Sequence, residues 1–308
     1  MKRAIVLALL LLLLLSGCAA EEYSEADIFC MDTVMSLRIW GPEACLEQCR
    51  EALYELQSTW SATLEDSLIS RLNRGEGTDM TPEQQSLLQR VEALQEATGG
   101  AFDPKLGALC EVWGFYGQDY RVPSSQELAQ AMELSRWDMG ASIKGYAGDV
   151  LAQLLSKAGA ERALLNMGGN VQTFGNKADG TPWRIAVQDP FGGSGYACLI
   201  DVTGTYAIVT SGDYQRYFEE DGVRYHHILD PETGCPAQSG LASVTVICEN
   251  GLTADAYSTA LFVMGLEEGS RFWRENGGFE AVFILKDGSI YATEGAAVSG
   301  CEYEVIRR

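Results

Sequence analysis

The stretch WDMGASIKGYAGDVLAQLLSKAGA, Trp137 to Ala160, divides the chain in character. It reads as the end of a strand, a glycine turn, and a helix from about Ile143 to Lys157 closed by Gly159. Before it the pattern is mainly helical. Pro42 to Gln57 carries Leu46, Cys49, Leu53 and Leu56 at helical spacing, and Thr81 to Ala97 opens on the capping pattern Thr81-Pro82-Glu83-Gln84 and stops at Gly99-Gly100. A short helix ends near Trp113-Gly114-Phe115, and another covers Ser124 to Leu134. Only Ile28 to Trp40, rich in β-branched and aromatic residues, predicts an early strand or strand pair. After the dividing stretch, strands dominate: 162–167, 183–188, 196–202, 206–210, 223–229 and 242–248, then a hairpin of 279–285 and 289–293 around Lys286-Asp287-Gly288. Helices lead and strands follow, which predicts an α+β fold rather than a doubly wound parallel sheet. No linker, repeat or low-complexity block interrupts the chain, so residues 28–308 are expected to form one domain.

The first residues have another purpose. Lys2 and Arg3 precede an apolar run from Ala4 to Leu15, too short for a membrane helix, which needs about 20 residues. It reads as an export signal over residues 1–17. The ending Leu15-Ser16-Gly17-Cys18 resembles a bacterial lipobox, which predicts cleavage before Cys18 and its lipidation as a membrane anchor on the outer face of the membrane. The acidic residues that follow, to Asp27, are expected to be a tether, 18–27. The net charge of −21 becomes more negative once Lys2 and Arg3 are removed. Such a surface repels phosphate backbones and argues against nucleic-acid binding; an anionic ligand would need a metal or a local basic group. Beyond Cys18, eight cysteines remain with no repeated spacing. Cys45 and Cys49 share a helix face without further close ligands, so zinc is disfavoured, and the set reads as mostly buried free thiols.

The two histidines of the chain, His226 and His227, are adjacent and open HHILDPETG, His226 to Gly234. Histidine is the side chain whose ordinary pKa suits proton transfer near neutrality. Two readings stand: acid–base chemistry here, or ordinary strand residues in a hairpin ending at Asp230-Pro231. Downstream, LTADAYSTALFVMG, Leu252 to Gly265, predicts a helix that places Asp255 and Thr259 on one face with Ser258 beside them. Carboxylate and hydroxyl oxygens suit a hard cation such as Mg²⁺. The alternative is an Asp255 that merely caps the helix. In NMGGN, Asn166 to Asn170, the glycines serve either a close approach to ligand or a turn between strands. A dinucleotide-binding glycine fingerprint and a P-loop are both absent, which disfavours a nicotinamide dehydrogenase or a standard NTPase.

AFDP (Ala101 to Pro104), DMGASIKGY (Asp138 to Tyr146), NMGGN, HHILDPETG and ADAYST (Ala254 to Thr259) occur in an order and spacing that resembles the ApbE family of exported, Mg²⁺-dependent FAD:protein FMN transferases. The resemblance runs from about Met31 to Ile290. It implies an α+β, T-fold-like catalytic domain with mixed and antiparallel sheets packed by helices. It also implies metal ligands at the Ala141 carbonyl, Asp255 and Thr259, with Ser258 as a further oxygen. FAD contacts are implied at Met31, Ala101, Phe102, Asp103, Asp138, Lys144 and Leu229. Lys144 also makes sense from charge, as a cation at a helix start facing a diphosphate in an acidic protein. Two departures appear: Ala141-Ser142-Ile143 stands where Gly-Ile-Ala is common, and Thr63, at the expected flavin or adenine contact, stands where an aromatic is common, so stacking there would be lost.

The implied reaction is attack by a Thr or Ser hydroxyl of an acceptor flavoprotein on the FMN-side phosphorus of FAD, with release of AMP. His227, which fits the family's HxxDP pattern, is the expected base, with Asp255 acting near the metal and His226 orienting the strand. By resemblance, the acceptors are electron-transport subunits or extracytoplasmic flavoreductases. Rival readings are hydrolysis of FAD to FMN and AMP, and a non-catalytic FAD-binding lipoprotein.

Overall fold

The computed structural model describes residues 22–117, 119–193 and 195–308. The predicted export signal and Cys18 lie outside the described residues. The first strand, β1 (Ser24–Cys30), pairs antiparallel with β2 (Thr33–Trp40), so the stretch expected to be tether as far as Asp27 is already sheet from Ser24 onward. The reason lies in the alternation: Ile28 and Cys30 point into the core while Glu25 and Asp27 point to solvent, so the acidic residues are the outer face of a strand.

Five helices follow: α1 (Ala44–Trp60), α2 (Leu68–Asn73), α3 (Pro82–Ala97), α4 (Gly107–Val112) and α5 (Ser125–Met132). The capping box at Thr81 and Gln84 forms as expected, and Ser124 with Glu127 makes a second. The dividing stretch becomes α6 (Ile143–Ala158), closed by Gly159 in the left-handed conformation. Then come β3 (Arg162–Met167), β4 (Asn170–Phe174), β5 (Trp183–Gln188), β6 (Tyr196–Val202), β7 (Ala207–Gly212), β8 (Tyr217–Glu220), β9 (Val223–His226) and β10 (Leu241–Cys248). The chain ends with α7 (Gly251–Asn276), β11 (Glu280–Leu285), β12 (Ile290–Thr293), β13 (Val298–Ser299) and β14 (Glu304–Ile306).

A nine-stranded sheet, in order β1-β2-β3-β4-β7-β10-β11-β12-β14, is antiparallel except for the last pair. On one face lie α1, α6 and α7, with Met35, Leu37, Leu53, Leu151 and Leu165 in their common core. On the other lies a three-stranded sheet, β13-β6-β5, whose Ile185, Val187 and Ile200 pack on Ile208, Ile247 and Val282. The central β10 is therefore covered on both faces and buried along its whole length. The expected α+β class, with antiparallel sheets packed by helices, is the observed one.

The short elements α2, β8, β13 and β14 were not expected, and three others differ in ways that bear on the site. β9 stops at His226 rather than Leu229, because the His227 N–H turns to the Arg216 carbonyl at 3.1 Å and Ile228 bonds Ala237 instead. The last helix does not end at Gly265. That glycine breaks the helix with φ 78°, its backbone against the Ser239 carbonyl, and a second helical segment continues to Asn276. β4 forms directly after Gly168-Gly169, which make the turn from β3; there the Gly168 backbone lies so close to Thr33 that a Cβ would fall 2.8 Å from the Thr33 Cβ.

Candidate active site

The N-termini of α6 and α7 cross at two glycines. A Cβ on Gly145 would fall inside contact distance of the Gly251 carbonyl and 2.6 Å from the Asp255 Cβ, so only bare backbone permits this approach. Each helix then caps the other. Asp149 of α6 accepts the Gly251 N–H at 2.6 Å and the Leu252 N–H at 3.0 Å, and Asp255 of α7 accepts the Gly145 N–H at 2.8 Å through Oδ2. The exchange has a consequence one turn back. At helical spacing the Gly145 N–H would bond the Ala141 carbonyl; diverted to Asp255, it leaves that carbonyl without a hydrogen bond among the described residues. Asp255 Oδ1 and the half-buried Thr259 hydroxyl likewise carry none among the described residues.

The loop before α6 is held from several sides. Asp138 accepts from the Tyr116 hydroxyl at 2.9 Å and the Gly140 N–H at 2.7 Å, and its own N–H donates to the Pro104 carbonyl at 2.8 Å. Asn73 of α2 pairs with both the N–H and the carbonyl of Trp137, at 2.7 and 2.9 Å. Lys144, in the first turn of α6, reaches back to the Gly140 carbonyl at 3.2 Å.

His227 lies within electrostatic reach of Lys144. Its Nδ1 lies 3.2 Å from the Arg216 carbonyl, which can only accept, so the ring proton sits on Nδ1 and Nε2 carries a free lone pair. Burial, followed by the positive charge of Arg216 and then that of Lys144, pushes its pKa down to about 3, and the ring is neutral at ordinary pH. His226 differs. Its Nε2 bonds the Ala237 carbonyl at 3.0 Å, its ring meets Phe262 edge-on, and it is 1% exposed. It is a core residue whose pKa burial also lowers.

The sequence pattern of the ApbE family matches residues 31–283. The chain belongs to the ApbE family. It is 33% identical to the FAD:protein FMN transferase of Treponema pallidum, with 89% of this chain and 88% of that protein covered, and 33% identical to that of Vibrio cholerae, with 86% and 88% covered. Among solved structures, the ApbE protein of Thermotoga maritima superposes with a TM-score of 0.83 at 35% identity, covering 89% of this chain and 98% of that one. The apo flavinyl transferase ApbE of Pseudomonas stutzeri superposes at 0.77 with 30% identity, covering 89% and 95%.

Against the ApbE expectations, Asp255 bonds the first turn of α6, beside Ala141 and Lys144, Thr259 follows one turn on along α7, and Lys144 lies within electrostatic reach of His227. Ser258 is placed elsewhere than expected. Fully buried, its hydroxyl lies between the Asp255 carbonyl at 2.9 Å and Ser211 Oγ at 2.8 Å, and it joins α7 to β7 rather than offering an oxygen to the site. Phe102, 1% exposed in the main core, leaves only its backbone for a ligand. Leu229 is buried with Trp113 and Phe115, so its side chain faces a satellite cluster. Asp103 caps its own turn at the Lys105 N–H, 2.8 Å away, and Asp138 is spent on holding the loop. Half-buried Ala101 and Met31 pack against the same core as Ala141. Met31 adopts φ 51° in the β1–β2 turn and donates its N–H to Gln57 at 2.6 Å. Thr63 is exposed, bonded to Ser61 at 3.1 Å, and presents no ring to stack on.

Asp149, Tyr116 and Arg216 were not singled out by the sequence. Asp149 and Tyr116 act on partners far along the chain, and Arg216 acts through its backbone carbonyl as much as its charge, so no local spacing signals them. Two cavities, of about 430 and 540 Å³, are lined by other residues and are separate from this site.

Proposed function

We propose that the protein transfers the FMN moiety of FAD to a Thr or Ser hydroxyl of an acceptor flavoprotein, releasing AMP. Membership in the family makes the chain a flavin transferase, and one observation carries the finer reading. A neutral histidine with a free Nε2 stands within electrostatic reach of a lysine in the first turn of a helix whose N-terminus is held by the Asp255 carboxylate. That arrangement suits attack of a hydroxyl on a diphosphate.

In this reading, Lys144 and the N-terminal end of α6 face the diphosphate of FAD and offset its charge. His227 Nε2 takes the proton of the acceptor hydroxyl as its oxygen attacks the FMN-side phosphorus, and the Nδ1–H bond to the Arg216 carbonyl holds the ring in the required tautomer. The bond from that phosphorus to the AMP oxygen breaks, and AMP departs with the electron pair.

Among the described residues no cluster of three His, Cys, Asp or Glu side chains could hold a metal. The donors at the helix ends are instead the Ala141 carbonyl, the Asp255 carboxylate and the Thr259 hydroxyl, an all-oxygen set with a single negative charge. That fits Mg²⁺, which completes its shell with water and substrate phosphate. When bound there, Mg²⁺ would neutralise charge on the diphosphate and stabilise the leaving phosphate. We also infer export and anchoring through Cys18, on the strength of the leader alone.

The test is incubation with FAD, Mg²⁺ and a flavoprotein bearing an exposed Thr or Ser. A flavin-fluorescent acceptor band is expected. Free FMN and AMP without a labelled band would replace transfer with hydrolysis, and FAD retained intact in excess Mg²⁺ and acceptor would replace both with a binding role.

A further inference from the structure

The outer sheet carries a pair of thiols that the chemistry above does not use. β6 and β13 pair antiparallel, with Ile200 opposite Val298 and Leu199 opposite Ser299. Continued, that alternation would turn position 301 away from the face of Cys198. Gly300 prevents this: past the end of β13 it takes φ 78° and redirects the chain. Cys301 consequently packs, half-buried, on the apolar cluster that encloses the fully buried Cys198 with Ile185, Ile200 and Val282. Cys198 and Cys301 thus share one apolar cluster and lie within electrostatic reach of each other.

We propose that Cys198 and Cys301 are a redox-responsive pair that closes to a disulfide on exposure to a disulfide donor, stapling the C-terminal segment to the three-stranded sheet. The proposal rests on this geometry and is independent of the transfer reaction. Burial raises both thiols, Cys198 to about 12, and Cys301 is the more accessible of the two. Cys301 therefore reacts first. Its thiolate attacks one sulfur of the donor disulfide, giving a mixed disulfide and one donor thiolate. The Cys198 sulfur then attacks the Cys301 sulfur, the protein disulfide forms, and the second donor thiolate leaves. Two protons pass from the cysteines to solvent or donor, and the donor is reduced by two electrons to two thiols. Cys45 and Cys49, by contrast, are sealed in the main core, out of reach of a donor.

Cys301 lies between β13 and β14, and β14 is the edge strand of the nine-stranded sheet. A bond from Cys301 to β6 would fix this crossing between the two layers and close a long loop, which in the chain-entropy account raises stability chiefly through the unfolded state.

The full chain, fully reduced and then held with oxidised glutathione until the reaction stops, is alkylated and digested without reduction. The expected result is one linked peptide pair joining Cys198 to Cys301, lighter by two hydrogens, with the other cysteines alkylated. Thermal unfolding should move up by ~5 °C or more on oxidation, an increase that dithiothreitol reverses. Cys301→Ser, at a half-exposed position, should fold and show no such increase. Recovery of Cys198 and Cys301 as alkylated thiols, a bridge formed elsewhere, or an equal increase in Cys301→Ser would overturn the proposal.

Discussion

Replacing Gly145 with alanine tests whether the crossing of the two helix ends builds the site. The added methyl would overlap the Gly251 carbonyl and lie 2.6 Å from the Asp255 Cβ. The first obstacle is backbone and the second is the root of a side chain, so neither can rotate away. Overpacking of this kind costs about 1–3 kcal/mol, and loss of the Gly145–Asp255 bond adds about 1–2 kcal/mol. Alanine recovers at most about 1 kcal/mol in helix propensity. The net loss of roughly 1–4 kcal/mol corresponds to a fall in Tm of about 3–15 °C for a domain of this size. Gly148→Ala, one turn on, is the internal control. Its methyl meets the ends of two flexible side chains, Gln172 Oε1 at 2.9 Å and Met167 Cε at 3.1 Å, and the Gln172 Cβ only at 3.3 Å, with no backbone in the way, so its Tm should shift by clearly less, about 2 °C. Differential scanning fluorimetry gives both values. Flavin labelling of an acceptor, at a temperature where each variant is folded, should fall in Gly145→Ala and persist in Gly148→Ala, because only the first separates Asp255 from the Ala141 loop. Equal Tm shifts for the two variants, or unimpaired labelling in Gly145→Ala, would refute the reasoning.

His227→Ala should reduce labelling by about 100-fold or more while FAD still binds, as followed by flavin fluorescence; a wild-type rate would remove it as the base. Since its pKa is held near 3, the neutral ring needed for catalysis persists well below neutrality, and the labelling rate should show no inflection from this group near pH 6.5. The same depression means that the folded state resists protonation. Stability should be greatest above about pH 6.5 and decline as pH falls towards 3, and His227→Gln should flatten that decline in a Tm-versus-pH series. Asp255→Asn should raise the Mg²⁺ concentration for half-maximal labelling by at least ~10-fold, and an unchanged Mg²⁺ titration would exclude it as a ligand. His226→Ala should cost about 1–3 kcal/mol in a denaturant melt, through the lost bond to Ala237 and the cavity beside Phe262, with labelling per folded molecule retained; loss of labelling without loss of stability would reverse the roles of the two histidines.

Elements with strong local signals were legible from residues alone. The box at Thr81 and Gln84 and the left-handed stop at Gly159 carry their reasons within a few positions, and the structure places both where the pattern does. β8 was illegible because Tyr217–Glu220 exposes charged side chains on a two-stranded ribbon, with no apolar alternation to read. The continuation of α7 beyond Gly265 was hidden for the opposite reason: a helix-stopping glycine is there, and the helix breaks at it, but Phe272 and Trp273 bury themselves with Phe279, Phe283 and Val246 and a new helical segment resumes. At the site, Asp255 and Thr259 were readable as one helix face. That Ser258 turns inward to Ser211 was not, because its partner lies on β7, far away in sequence.

The two readings of Asp255, helix cap or metal ligand, turn out to be compatible, and their combination accounts for the site's charge. Asp255 does cap a helix, but it caps α6 through Oδ2 rather than its own helix, whose capping is done by Asn250 and Asp149. One oxygen thus fixes the position of the carboxylate while the other stays open, and the same bond releases the Ala141 carbonyl. A chain of net charge −21 then places, at this point, Lys144 and the positive ends of two helices beside the Asp149 and Asp255 carboxylates, with Arg216 near His227. Local cations and helix ends at the crossing therefore offset the acidic character of the chain, and a diphosphate can approach there more readily than over the rest of the surface. This separation makes a distinguishing demand on salt dependence: added salt should weaken FAD binding if Lys144 and Arg216 dominate, and strengthen it if the acidic surface does. A measured increase in FAD affinity with ionic strength would place the diphosphate away from the helix crossing.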